Sequence, residues 1–412
     1  MLDFTKYKLD NGLTVILHKD THSSIAVVNI MYKVGARNED PDKTGLAHLL
    51  EHLMFSGSKN VASYDKSLEA VGGQNNAFTS NDITNYYIEI PYENIETALW
   101  LEADRMRNLN LTQTNLDVQK DVVSEEFKQC YLNQPYGDSW LELSKLAYTT
   151  HPYSWPTIGK NLDHIKNFSL KDLQSFYDNY YGPQNAVVVI SGNINIDDIR
   201  KLVDKYFANV HFKTPQNKAL TQEPIQNEAR TQSLKRDNIA LEALYKGFHI
   251  PGRFDKEFYT CNIIAEILSA GESSTLYLEL VKKESIFNNI VAYTSGTLDP
   301  GLLVIEGKVN KGVDIFEAEA KLNNILYRLQ TELLKDEIIE KAKNQIFLES
   351  RFEESNLLDR SINIAFYETA GNIDLYNQET NIYNNISAKN IIEKANYIFN
   401  GNNVSTIHYQ LK

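Results

Sequence analysis

An internal repeat constrains the fold of this chain more than any other feature of its sequence. Residues 169–185 read SLKDLQSFYDNYYGPQN and residues 387–403 read SAKNIIEKANYIFNGNN. Identical residues recur at an offset of 218 (387 − 169): Ser169 and Ser387, Lys171 and Lys389, Asn185 and Asn403. Each copy predicts an amphipathic helix with Ser at its N-cap, leading into a strand, AVVVISG in one copy and VSTIHYQ in the other. The repeat predicts two homologous halves.

The fold class predicted for the chain is α+β, with a mostly antiparallel sheet packed with helices in each half. NIMYKVGARNE and EALYKGFHIPG also look like equivalent strands of the two halves. Candidate strands and helices do not alternate one for one, which disfavours a doubly wound parallel sheet. The predicted boundaries are an N-terminal domain at 1–212, a polar linker at 213–238 without apolar periodicity, and a C-terminal domain at 239–412.

A candidate metal motif, His-Leu-Leu-Glu-His, occupies residues 48–52. We predict a helix that begins after Thr44 as N-cap and stops at Gly57. At about 100° per residue, five apolar side chains form one stripe: Leu46, Leu49, Leu50, Leu53 and Met54. His48, Glu51 and His52 lie together on the opposite side. A lone helical histidine is usually a surface or core residue, but two at this spacing with an acid between them match the inverted motif of zinc peptidases.

A third ligand is needed, because a catalytic zinc ion takes three protein ligands and keeps one open position. The segment VQKDVVSEEFKQC offers a candidate helix. Its predicted apolar face consists of Val118, Val122, Val123, Phe127 and Cys130. Glu126 falls in the middle of that face, where a carboxylate needs a partner, whereas Glu125 falls outside it and is interpreted as solvated or supporting. This choice between adjacent acids depends on periodicity alone.

Composition excludes several classes of protein. Lys and Arg total 41 against 54 Asp and Glu, a formal charge of −13, which argues against nucleic-acid binding. No stretch approaches the length of a membrane span, and no secretory leader is visible, so we expect a cytoplasmic location unless a leader was removed. The two cysteines, Cys130 and Cys261, are too few for a disulfide framework.

The chain resembles the pitrilysin, insulin-degrading-enzyme and mitochondrial-processing-peptidase family of inverted-motif zinc peptidases, as a half-length member. In that family H-x-x-E-H is followed by a helix of the pattern E-R-x-V-V-x-E-E, and residues 119–126 read QKDVVSEE, ending 74 residues after His52 (126 − 52). Further matches are Gly72-Gly73, Asn76-Ala77-Phe78-Thr79, Thr84, Tyr86-Tyr87, His151-Pro152-Tyr153 and the Tyr-Tyr-Gly-Pro of 180–183.

The resemblance implies a zinc metalloendopeptidase that hydrolyses oligopeptides or unfolded segments. One Zn²⁺ per chain would be held by His48, His52 and Glu126, with Glu51 as general base and then acid. Asn76, Ala77 and Phe78 would bind substrate by pairing its backbone to an edge strand. One alternative is a structural subunit without catalysis, as found among relatives in respiratory complexes, and another is a subunit that binds peptide without cleaving it.

Two departures from the family pattern concern this site. Gln119 stands where relatives often have Glu, which removes a charge near the metal but changes no ligand. In the second half Val281 and Asn288 stand where active relatives commonly have Arg and Tyr that contact substrate. We therefore expect a homologous, metal-free partner subunit to supply that pair in a heterodimer, a homodimer being the other possibility.

Overall fold

A computed structural model describes residues 2–212 and 221–412 of the chain. The strands are β1 Thr5–Lys8, β2 Thr14–Lys19, β3 Ile25–Tyr32, β4 Gln74–Thr79, β5 Thr84–Pro91, β6 Ala186–Gly192, β7 Arg230–Arg236, β8 Ala243–Ile250, β9 Phe287–Thr294, β10 Gly301–Val309 and β11 Ser405–Leu411. The helices are α1 Leu46–Leu53, α2 Tyr64–Glu69, α3 Ile95–Asn108, α4 Gln113–Phe127, α5 Ser139–Ala147, α6 Leu162–Asn167, α7 Leu170–Tyr180, α8 Ile196–Phe207, α9 Phe258–Ser269, α10 Ile315–Thr331, α11 Asp336–Ser355, α12 Leu357–Thr369, α13 Glu379–Asn384 and α14 Ala388–Ile398. Two π-helical segments occupy Lys128–Leu132 and Tyr277–Lys283. The predicted α+β class is confirmed.

The first sheet has six strands in the order β1-β2-β6-β3-β5-β4. Its pairings are antiparallel except for β2 with β6. Every residue of β6 is buried, which explains its unbroken apolar sequence. At the other end of the order, β4 pairs only with β5 in the described sheet, so its outer edge is unpaired. This edge strand is the one that carries Asn76, Ala77 and Phe78.

The second sheet repeats this topology. Its order, β7-β11-β8-β10-β9, matches β2-β6-β3-β5-β4 strand for strand, and again one pair alone is parallel, β7 with β11. The helices that precede β6 and β11 both begin with a capping box, in which Ser169 bonds the Asp172 N–H and Ser387 bonds the Asn390 N–H. The two halves predicted from the repeat therefore share one strand order.

The predicted boundaries differ from the compact units of the structure. Part of the predicted linker, 213–220, lies outside the described residues, but residues 230–236 form β7, the first strand of the second sheet. Its exposed positions alternate with half-buried ones, which made this strand resemble a polar linker in the sequence.

The compact units are also discontinuous in sequence. The first comprises the described residues of 1–128, 155–220 and 352–377, and the second those of 129–154, 221–351 and 378–412. Helix α5 packs its Leu143 and Ala147 into the core of the second unit, and α12 packs its Ile364 and Ala365 into that of the first. An amphipathic pattern shows that a helix buries one face but does not show which sheet it covers, so sequence could not predict this exchange.

Candidate metal centre

Helix α1 carries the His-x-x-Glu-His motif with its apolar stripe buried as predicted. The stripe residues Leu46, Leu49, Leu50, Leu53 and Met54 are all buried, and the three polar side chains of the motif lie on the other side. The predicted N-cap is wrong, because Gly45 occupies that position in the left-handed conformation, with φ 97°. Thr44 instead uses its hydroxyl to bond His164 and to accept from the Lys160 N–H.

A buried acid, Glu39, accepts hydrogen bonds from the free N–H groups at the start of α1 in place of an N-cap side chain. It accepts hydrogen bonds from the N–H groups of Gly45 at 2.9 Å and Ala47 at 2.8 Å, and from Trp155 Nε1 at 3.2 Å. Burial raises the pKa of Glu39 to about 8, although these donors favour its charged form. Helical periodicity gave no signal for Glu39, because this residue contacts the helix from a preceding loop rather than from the helix itself.

The predicted apolar face of α4 is partly wrong. Val118 and Val122 are 54% and 46% exposed, and Cys130 is also exposed. The buried stripe is instead formed by Leu116, Val123, Ser124 and Phe127. Glu126 lies on the flank of that stripe, with its side chain 38% exposed. Because Glu126 is only partly buried, its carboxylate requires a charged partner less strongly than a fully buried one would. The side chain still faces α1.

The structure brings His48, His52 and Glu126 together. His48 Nε2 lies 3.6 Å from one Glu126 carboxylate oxygen, and His52 Nε2 lies 3.5 Å from the other. One potential ligand atom from each residue lies within 4.8 Å of the others, and no second such group of three occurs among the described residues. Glu125 instead pairs with Lys128 at 2.5 Å, so the choice of Glu126 over Glu125 agrees with the geometry.

The donor set fits a zinc ion. Zn–N and Zn–O bonds of about 2.0–2.2 Å in a tetrahedron place neighbouring ligand atoms roughly 3.4 Å apart. The 3.5 and 3.6 Å contacts join the two histidines to different oxygens of Glu126, and one ligand atom from each of the three residues lies within 4.8 Å of the others, so a bound ion would draw the three side chains closer together. Two imidazole nitrogens and one carboxylate are also the donor set of known catalytic zinc sites.

The electrostatics keep two of the three donors, His48 and Glu126, in forms that bind metal. Burial, opposed by Glu126 and assisted by His52, lowers the pKa of His48 to about 4, so this imidazole is neutral at pH 7. The contact with His52 lowers the pKa of Glu126, which is therefore ionised. Burial alone would lower the pKa of His52, but the carboxylates of Glu126 and Glu51 together raise it. A bound cation would balance the charge of these two carboxylates instead.

Glu51 lies beside the three candidate ligands without belonging to the group. Burial raises its pKa, and its carboxylate accepts a hydrogen bond from the Thr79 hydroxyl at the end of β4. Gln119, one of the two departures from the family pattern, has its side chain near His52, where it helps to raise the pKa of that imidazole. The resemblance predicted Gln119 near the metal, but the contact between Thr79 and Glu51 had no signal in the sequence beyond the matching motif at 76–79.

The substrate-binding candidates lie on the same edge strand as Thr79. Asn76 and Phe78 are exposed, whereas Ala77 is half-buried, in the alternation expected of a strand with one covered face. In the second unit, the positions of the second departure lie in and after a π-helical segment, with Val281 half-buried and Asn288 exposed at the start of β9.

Comparison with known proteins places the chain in a family. Residues 14–159 match the model described as insulinase (peptidase family M16), and residues 167–346 match that of the peptidase M16 inactive domain. The chain is 32% identical to the "zinc protease PqqE" of Helicobacter pylori over 87% of this chain and 80% of that protein. It is 25% identical to an "uncharacterized zinc protease" of Rickettsia bellii over 98% and 97%.

Solved structures agree with this placement. A protease from Helicobacter pylori superposes with a TM-score of 0.93 at 28% identity, covering 100% of both chains. Pitrilysin superposes with a TM-score of 0.78 at 18% identity, covering 99% of this chain but 45% of its own, a likeness of fold alone. The chain belongs to peptidase family M16, and its length corresponds to about half of pitrilysin. Among the described residues, no helix combines the length and apolar character needed to cross a membrane.

Proposed function

We propose that this chain is a zinc-dependent metalloendopeptidase that hydrolyses oligopeptides or unfolded segments. The observation that carries the proposal is the convergence of His48 and His52 from α1 with Glu126 from α4, beside a second acid, Glu51, that the metal does not need. Relatives named zinc proteases support the same reading. Paired, partly buried ionisable groups with shifted pKa values are concentrated at functional sites.

Each polar residue of the site has a distinct role in this proposal. His48, His52 and Glu126 would hold one zinc ion, which supplies Lewis acidity that polarises a peptide carbonyl and lowers the pKa of water. Glu51 takes a proton from the attacking water and delivers it to the amine of the departing peptide segment. The raised pKa of Glu51 suits this exchange, because a group that accepts and then returns a proton works best with a pKa nearer neutrality.

The peptide would bind along the open edge of β4. An extended chain can pair its backbone with the unpaired outer side of this strand, next to Asn76, Ala77 and Phe78. Such pairing recognises backbone more than side chains, so a folded protein cannot enter it. The substrates are therefore short peptides or unfolded segments.

A homologous partner completes the enzyme in this proposal. Val281 and Asn288 cannot make the contacts that Arg and Tyr make in active relatives, since neither offers a cation or a phenol. The chain also matches about half of pitrilysin and 48% of the periplasmic protease PqqL from Escherichia coli. A metal-free subunit that carries the Arg and Tyr would form a heterodimer with this chain, and a homodimer is the other arrangement to test.

The test is chelator-sensitive cleavage of a quenched fluorescent peptide by the purified chain, alone and with a co-purified partner. Glu51→Gln should abolish cleavage while zinc content stays at about one ion per chain. The matched control is Glu125→Gln, which changes an exposed acid on α4 and should leave cleavage unchanged. Zinc binding without cleavage in every assembly would instead favour the peptide-binding alternative, and full activity of an isolated monomer would refute the need for a partner.

A further inference from the structure

The hydrogen bond between Thr79 and Glu51 joins two elements with different roles in the proposed enzyme. Glu51 lies on α1, between the two histidines, and Thr79 is the last residue of β4. The Thr79 hydroxyl donates to Oε2 of Glu51. The link therefore runs from the proposed base directly to the strand along which the peptide would bind.

The backbone of Thr79 is held firmly enough to position another side chain. Thr79 pairs with Thr84 of β5 at the end of the β4–β5 ladder. Thr84 is buried and donates its own hydroxyl to the Val34 carbonyl at 2.9 Å. The turn that follows Thr79 is closed by the hydrogen bond from the Ser80 N–H to the Ile83 carbonyl, at 2.8 Å.

The two side chains differ in their own freedom. A β-branched threonine on a strand has restricted χ1, so its hydroxyl direction is largely set by the backbone. A glutamate has three side-chain torsions, the last of them broad, and its carboxylate orientation must be set by what it contacts. Through the hydrogen bond, the fixed hydroxyl of Thr79 therefore orients the more flexible carboxylate of Glu51.

The alternation of β4 places Thr79 on the same face as Ala77. Ala77 and Thr79 are both half-buried, while Asn76 and Phe78, which alternate with them, are exposed. Residues two apart on one strand are separated by about 6.6 Å. A peptide paired with β4 is thus held in register with the residue that orients Glu51.

We propose that Thr79 is a positioning residue, whose hydroxyl fixes the orientation of the Glu51 carboxylate relative to a peptide paired with β4. The expected loss of activity rests on the proposed function. The expected effect on the orientation of the Glu51 carboxylate does not. A threonine that served only to build the strand would be replaced without loss by valine, which has nearly the same shape and a high strand propensity. The hydroxyl is what the proposal requires.

The experiment compares Thr79→Val, which removes the hydroxyl, with Thr79→Ser, which keeps it. Thr231→Val is the matched control, because it makes the same change on an exposed strand position of β7 in the other unit. Crystal structures of the metal-free proteins report the position of the Glu51 carboxylate. Zinc content, kcat and KM for a fluorogenic peptide are measured on the zinc-loaded proteins with any partner that activity requires.

We expect the Glu51 carboxylate to move or to occupy several rotamers in Thr79→Val, and to stay in place in Thr79→Ser and Thr231→Val. We expect kcat to fall about 10–100-fold in Thr79→Val, the usual range for residues that orient a metal site, with zinc content and KM little changed. Recovery of most of kcat in Thr79→Ser separates the hydroxyl from the shape of the side chain.

An unmoved Glu51 carboxylate in Thr79→Val overturns the proposal, as does an unchanged kcat in that variant. A loss of kcat that Thr79→Ser shares in full also overturns it, because the hydroxyl would then not be the cause. A wild-type protein that never cleaves peptide refutes the proposed function instead, and the carboxylate positions still decide whether Thr79 orients Glu51.

Discussion

Arg105 binds Glu102 through its Nε and Nη2 atoms, at 2.9 and 2.6 Å, in a position where both side chains are almost fully buried. The guanidinium also lies 4.2 Å from the ring centre of Tyr86 and 4.8 Å from that of Tyr64. Tyr64 donates its hydroxyl to the same carboxylate at 2.6 Å. The pair therefore ties α3 to α2 and to β5, the strand that supports the edge strand of the candidate site.

Breaking this pair should destabilise the fold strongly. Glu102→Ala leaves an uncompensated buried guanidinium, and we expect the free energy of unfolding to fall by about 3–5 kcal/mol. Urea unfolding followed by circular dichroism measures the change. The double variant Glu102→Leu with Arg105→Met should recover much of the loss, since neither charge remains.

The control is Lys201→Ala, which breaks the exposed pair with Asp198 and should cost at most about 1 kcal/mol. A similar cost for Glu102→Ala would refute this account.

Zinc affinity should distinguish the two adjacent acids of α4. Glu126→Gln removes a charged ligand atom and should lower the affinity for zinc by more than about 100-fold, beyond the usual effect of a residue that only supports a ligand. Glu125→Gln should leave the affinity unchanged, because that side chain pairs with Lys128. Competition with a zinc-binding dye measures both. Equal affinities in the two variants would show that Glu126 is not a ligand.

The buried acid at the start of α1 should affect both stability and zinc. Glu39→Ala leaves the N–H groups of Gly45 and Ala47 and the indole of Trp155 without their acceptor. We expect a loss of about 1–3 kcal/mol in unfolding free energy and weaker zinc binding, because the helix that carries His48 then frays. Ser169→Ala, which removes the cap of α7, should cost about 1 kcal/mol with no change in zinc affinity. Unaltered zinc binding in Glu39→Ala would show that the metal site does not depend on this acid.

Acid stability should depend on Glu319 in the second unit. Burial alone would raise the pKa of this carboxyl, but the hydrogen bond with His408 and the charge of Lys246 lower it to about 2. A depressed pKa contributes stability above the unfolded value near 4.5 and loses it as pH falls from about 4.5 to about 2. The contribution is up to about 3 kcal/mol, at 1.36 kcal/mol per unit of pKa.

Urea unfolding at several pH values between 2.5 and 7 tests this contribution. Glu319→Gln should be less stable than the wild type at pH 7, and its stability should change less on acidification below pH 4.5. The difference between the two proteins should therefore narrow as pH falls. Curves that stay parallel over this window would contradict the assignment.

The sequence predicted those features that local periodicity determines. The apolar stripe of α1 and the segregation of His48, Glu51 and His52 follow from one helical period. The shared strand order of the two halves agrees with a repeat visible at Ser169 and Ser387. These features need no knowledge of which elements become neighbours.

Features that depend on a neighbouring element were wrong or missed. Val118 and Val122 are apolar but exposed, because nothing among the described residues covers that side of α4. Glu39 and Thr79 act on α1 from a loop and a strand, at 9 and 31 positions from His48 (48 − 39 and 79 − 48). Periodicity within one helix carries no information about such partners.

Diffraction from crystals of the zinc-loaded protein, measured on either side of the zinc absorption edge, tests the central claim most directly. The account predicts one anomalous peak about 2.0–2.2 Å from His48 Nε2, His52 Nε2 and a carboxylate oxygen of Glu126, with Glu51 outside bonding distance. A peak elsewhere, or full zinc occupancy with Glu126 turned away from the ion, would contradict it.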